Sequence, residues 1–144
     1  MNILKNEKGF GAWEIPIAIV LIILLLGLSV PKFNSLIRQS KEAQTKYNLT
    51  RLRNAVTAYY GEHKSQYPRG DVVKELVPNY IEKIPLVVAP GAAPSSEVYT
   101  TQTIKGNEGR GGWYYVDDPS DSAYGAVRVN IDTPTYAGEN WKNL

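Results

Sequence analysis

A single histidine, His63, and no cysteine set the limits of the side-chain chemistry open to this 144-residue chain. A His-pair zinc site, any thiolate site and a disulfide framework are excluded. One imidazole remains for acid–base work. No nucleophile–base–carboxylate set, metal-ligand cluster or phosphate loop stands with it, so an enzyme is not expected. The glycine run 106–112 (G-N-E-G-R-G-G) has no strand–GxGxxG–helix context and reads as a turn. Asp117, Asp118 and Asp121, in D-D-P-S-D, can offer carboxylate oxygens which, with main-chain carbonyls, suit Ca2+ and its six to eight ligands. The EF-hand spacing is absent and Asp-Pro-Ser-Asp is also ordinary turn chemistry, so both readings stand. No other cofactor is expected. The net charge of +2 gives no ground for direct nucleic-acid binding.

The carboxylate in the least ordinary place is Glu14. A mean hydropathy of −0.29 hides a split in composition. Residues 15–30 read I-P-I-A-I-V-L-I-I-L-L-L-G-L-S-V without a charge, and over 10–31 Glu14 is the only charged residue. As a helix, 10–31 is about 33 Å long at ~1.5 Å per residue, enough to cross a bilayer core. Lys5 and Lys8 precede it, which holds that end in the cytoplasm and sends the remainder outward. Three readings compete. A secretory signal peptide would be cut near Gly27-Leu28-Ser29. A plain signal anchor would hold a binding domain at the membrane. The third depends on the junction K-G-F-G-A-W-E at residues 8–14.

Gly9-Phe10, followed by Glu14 at the mouth of an apolar run, resembles the type III signal of type IV pilins and type II secretion pseudopilins. Pro31 falls where that family commonly carries a proline. Gly11-Ala12-Trp13 and Pro16 depart from the usual apolar pattern. The resemblance implies cleavage by prepilin peptidase between Gly9 and Phe10 and N-methylation of Phe10. It implies a single-pass reservoir in the inner membrane, extracted by an assembly ATPase and a platform protein into a periplasmic or extracellular helical filament. A carboxylate inside a bilayer is costly and is expected to have a nameable partner. Here that partner is the Phe10 ammonium of a neighbouring subunit, which makes Glu14 a device for assembly register. Pro16 is expected to kink the helix, and Gly27 with Pro31 to mark a break that unwinds on packing.

Behind the apolar run, residues 32–64 are rich in helix formers. Phe33, Leu36, Ile37, Ala43 and Tyr47 recur at helical spacing. A second, rotated stripe holds Leu49, Leu52, Val56 and Tyr59. Seven basic against two acidic residues give this stretch +5, while 65–144 carries −3. The opposite signs suit anionic headgroups near Lys32 and acidic neighbouring domains further on. Gly61 and Pro68 are expected stop signals. L-V-P-N-Y-I-E-K-I-P at 76–85 resembles a pseudopilin docking segment, and 85–96 reads as an exposed tip. Residues 98–104, 113–116 and 126–131 read as strands, the last two as an antiparallel pair. His63 is expected beside the helix C-terminal dipole.

The expected fold is therefore α+β and pilin-like. A basic leader (1–9) precedes a transmembrane helix (10–31), its amphipathic continuation (32–64) and a small head (65–144) with an antiparallel sheet. The expected function is that of a filament subunit, most closely a type II secretion pseudopilin supporting protein export. The alternatives are a type IV pilus subunit for adhesion, motility or DNA uptake, and a membrane-anchored binding domain.

Overall fold

The computed structural model describes residues 11–103 and 108–144, with the main chain alone for 28–31. The leader, Gly9 and Phe10 lie outside the described residues, as do 104–107. The chain divides into two compact units between Ile37 and Arg38. Helix α1 (Glu14–Glu62) contributes to both, α2 is Val72–Leu76, and three short strands follow: β1 (Val98–Thr100), β2 (Trp113–Tyr115) and β3 (Val127–Val129). A 3-10 turn at Trp141–Asn143 closes the chain.

The helix starts at Glu14, later than the expected Phe10, because residues 11–13 form a turn capped from within. The Gly11 N–H donates to the Glu14 carboxylate at 3.0 Å, and the Glu14 N–H donates to the Gly11 carbonyl at 2.9 Å. The two bonds close a tight turn immediately ahead of the helix, whose first residue is Glu14. Pro16 consequently sits in the first turn. A missing N–H there costs no intrahelical bond, so the sequence argument for a kink at Pro16 fails. At the other end the helix runs past Gly61 to Glu62. Lys64 and Ser65 take the left-handed conformation (φ 52° and 61°) and the Ser65 N–H donates to the Tyr60 carbonyl at 3.1 Å. A lysine thus occupies the position that glycine usually fills.

In the unit from Arg38 onward, α1 buries Glu42, Thr45, Asn48, Leu49, Leu52, Ala55 and Val56, spaced by threes and fours on one face. Leu49, Leu52, Ala55 and Val56 pack with Val72, Leu76, Trp113, Tyr115, Val129 and Trp141 in one core. Above this apolar half the grip is polar. Asn48 Nδ2 donates to the Leu86 carbonyl at 2.7 Å, Thr45 Oγ1 accepts the Val88 N–H at 3.1 Å, and the Glu42 carboxylate accepts the Tyr136 N–H at 2.7 Å. Residues 85–96 are therefore only partly an exposed tip. Val87 and Ala89 are buried and the Pro85 carbonyl accepts the Trp113 indole N–H at 2.7 Å.

The sheet is mixed, in the order β1-β2-β3. The β2–β3 pair is antiparallel as expected, with Tyr114 opposite Arg128, but β1 runs parallel to β2 with Tyr99 opposite Tyr114. This corrects the expectation of a wholly antiparallel sheet. The described part of the glycine run, 108–112, is tied to the residue after β3. Asn130 Oδ1 accepts the N–H groups of Glu108 and Gly109, and the Asn130 main chain bonds Gly111 and Gly112. Gly112 (φ +72°) passes so close to β1 that a Cβ there would lie 2.5 Å from the Glu97 carbonyl oxygen. One face of the sheet meets α1. On the other, Tyr114 and Val116 pack with Tyr99 of β1 and with Ala123 and Ala126 from the segment after β2.

Candidate functional site

The unit up to Ile37 displays the apolar surface that a function must account for. Ten large aliphatic side chains between Ile15 and Leu26 are 51–63 % exposed. Folded soluble chains rarely expose a contiguous apolar patch beyond a few hundred Å². An 18-residue window of α1 has a mean hydropathy of 2.4 and no buried share, so the helix is long and apolar enough to cross a membrane. At roughly −0.3 to −0.6 kcal/mol per large aliphatic residue, those ten favour a bilayer by about 3–6 kcal/mol. Glu14 opposes insertion but sits in the first turn, where the cost is lower than at mid-span.

The structure places Glu14 at the start of this surface, exposed, with its carboxylate on the Gly11 N–H. Gly27 is exposed and the main chain stays helical through Pro31 in the single chain. Pro31 has no N–H, so the Gly27 carbonyl lacks its ordinary i+4 donor. Phe33, Leu36, Ile37 and Tyr47, the first apolar stripe, remain 40–65 % exposed.

The acidic joint is not assembled as a trio. Asp117 is wholly buried and neither carboxylate oxygen has a partner, while its N–H donates to Thr101 Oγ1 at 3.3 Å. Asp118 Oδ1 accepts the Ser120 N–H at 2.9 Å and hydroxyl at 2.7 Å, which hold its carboxyl below the usual range. Asp121 Oδ1 accepts the Ala123 N–H at 2.8 Å. Among the described residues no three acidic or histidine side chains converge as a metal site. Asp117 alone has the orphaned buried oxygens that a cation would satisfy.

Two features were not legible as sites. At the end of α1, His63 stacks on Tyr59 at 3.8 Å and Tyr80 donates to Glu62 at 2.6 Å, which pushes the Tyr80 phenol up to about 12. His63 Nδ1 lies 3.0 Å from the Tyr59 carbonyl, the helix-end role expected of it. Second, a groove of about 710 Å³ opens between α1, α2 and the segments before β1, with Arg51 and Lys83 on its lining. No local signal marks it, because its walls are brought together from three separate parts of the chain. No family model matches the chain, and no curated protein or solved structure shows significant similarity to it.

Proposed function

We propose that the chain is a structural subunit of a type IV-like helical filament, most closely a type II secretion pseudopilin that supports protein export. In this reading prepilin peptidase cuts between Gly9 and Phe10, and the new Phe10 amine is methylated. The subunit waits in the inner membrane with its head outside the cytoplasm, until an assembly ATPase and platform protein draw it into the filament. The observation that carries the reading is the exposed aliphatic surface at 15–26, headed by one carboxylate. Lipid covers such a surface in a reservoir, and neighbouring copies cover it in a filament core. Glu14 then exchanges its bond to Gly11 for the Phe10 ammonium of a neighbour. A buried ion pair adds little net stability but is expensive to break, so it fixes register more than it strengthens.

Ca2+ enters this reading through Asp117, whose buried oxygens lack partners. When bound, the ion would neutralise that carboxylate and tie the segment after β2 in place of a disulfide. The whole reading is tested by intact mass and N-terminal sequencing of protein recovered from its own membranes. A chain that begins at methylated Phe10 is expected. One that begins at Met1 overturns the filament reading in favour of a signal anchor, and one that begins at Val30 in favour of an ordinary secreted domain.

A further inference from the structure

Most acidic side chains of the unit from Arg38 onward are already satisfied. Glu139 pairs with Lys46 at 3.4 Å, Asp132 with Lys142 at 3.1 Å, and Glu62 accepts the Tyr80 hydroxyl. Asp118 and Asp121 differ. Each spends one oxygen on its own turn, and among the described residues neither has an ion pair. Arg69 acts on Asp118 only weakly through space. The two sit on a preformed turn, closed by the Asp121 N–H on the Asp118 carbonyl at 3.1 Å, with Pro119, Ser120 and Ser122 exposed between and beside them.

The groove beside α1 has the opposite character. Arg51 and Lys83 are exposed on its lining and, among the described residues, make no ion pair. Its apolar floor includes Leu86, 47 % exposed, and Val73, 38 % exposed, which remain solvated in the single chain. Glu97 also lines it, accepting from the Tyr99 hydroxyl, so the lining holds two basic side chains to one acidic. Groove and turn share no residue.

We infer that the groove of one copy receives the Asp118–Asp121 turn of the next copy, with Arg51 and Lys83 taking the two carboxylates. This rests on the filament reading and names the head-to-head contact within it. The arginine fork and the lysine point charge suit carboxylates that spend only one oxygen on their own turn. The turn is already ordered by its own hydrogen bonds, so docking costs little conformational entropy. Because the two surfaces differ, the contact is heterologous. It has no two-fold closure and can repeat along a helix, as a filament requires.

A cysteine-free chain makes the test direct. Full-length chains carrying Arg51→Cys with Asp118→Cys, or Lys83→Cys with Asp121→Cys, are expressed in the cells that assemble the filament and exposed to a mild oxidant. Covalent ladders of two, three and more copies are expected, and the single-cysteine variants, with no cysteine opposite, are expected to remain monomers on denaturing gels. Arg51→Glu with Lys83→Glu is expected to lower filament yield roughly tenfold, with recovery when Asp118→Arg and Asp121→Arg are added to the same chain. Unchanged circular dichroism of the variants shows that the head still folds. Filaments at full yield from the Glu pair, or filaments without ladders, overturn this contact and leave the filament reading intact. Unprocessed wild-type chain with no filaments overturns the filament reading itself.

Discussion

Replacing Asp117 with asparagine tests the acidic joint by the sign of its effect on stability. The carboxylate is fully buried and neither oxygen has a donor. An ion in that state carries a penalty of several kcal/mol even after relaxation, whereas an unsatisfied amide of the same shape costs about 1–3 kcal/mol. In metal-free buffer the Asp117→Asn chain is therefore expected to be more stable by about 1–3 kcal/mol. At about 4–8 °C per kcal/mol for a unit of this size, that raises Tm by at least several degrees. Bound Ca2+ is expected to narrow that gap. With a Kd in the extracellular range of about 10⁻⁴–10⁻³ M, 10 mM Ca2+ stabilises the wild type by roughly 1.4–2.7 kcal/mol. The variant, without the charge, gains little. The assay is calorimetry or differential scanning fluorimetry of detergent-solubilised full chain in EDTA and in Ca2+. A variant less stable than wild type in EDTA would refute the claim that the carboxylate is unpartnered. Equal Ca2+ shifts in both chains would refute its role as a ligand.

Three further outcomes follow from other parts of the molecule. Glu14→Ala is expected to leave the chain in the membrane, cleaved after Gly9, while filament yield falls at least tenfold; normal filaments would remove Glu14 from assembly. Leu52→Ala, in the core beneath α1, is expected to cost about 2–5 kcal/mol in denaturant unfolding of the head; a loss below 1 kcal/mol would contradict that packing. Tyr115 donates to the Pro68 carbonyl at 2.9 Å, and burial raises its phenol well above the ordinary value. A raised phenol contributes stability that is complete below about pH 10 and lost as pH climbs towards the folded-state value. Tyr115→Phe is expected to be about 1 kcal/mol less stable at pH 7 and to decline less steeply above pH 10, and parallel pH profiles would contradict the assignment.

The parts of the fold legible in the sequence were those set by periodicity. Leu49, Leu52, Ala55 and Val56 repeat at helical spacing and are the buried face of α1. Residues 113–116 and 126–131 read as paired strands, and within them Trp113–Tyr115 and Val127–Val129 pair antiparallel. What the sequence hid depended on partners far along the chain. Nothing local says that Asn130 will take the Glu108 N–H from 22 residues away, or that β1 will run parallel to β2. Pro16 suggested a kink only while the helix was thought to begin at Phe10, and the Glu14–Gly11 cap moves it to a harmless position. At the candidate sites, Glu14 was visible as a charge in an apolar run. The burial of Asp117 against the exposure of Asp121 was not, because adjacent residues of a D-D-P-S-D turn give no pattern that separates inside from outside.

The absence of cysteine gives the C-terminal segment a particular task. A head built on three strands of three residues each has little ladder to hold it together. Its last residues return to α1 and close the structure there. Glu42 takes the Tyr136 N–H, Lys46 takes Glu139, and Trp141 is wholly buried in the core. At the far end of the same helix, Tyr59 donates to Glu75 at 3.0 Å and Glu62 accepts from Tyr80. The helix is thus gripped by polar contacts at both ends of its buried stripe, with the apolar core between them. An apolar stripe alone tolerates axial sliding, because one aliphatic ridge resembles the next by a turn. Directional bonds at Glu42 and Glu62 do not, since a one-turn shift of about 5.4 Å would break all of them. These bonds therefore fix the C-terminal segment and the segment around α2 to α1 at one axial register.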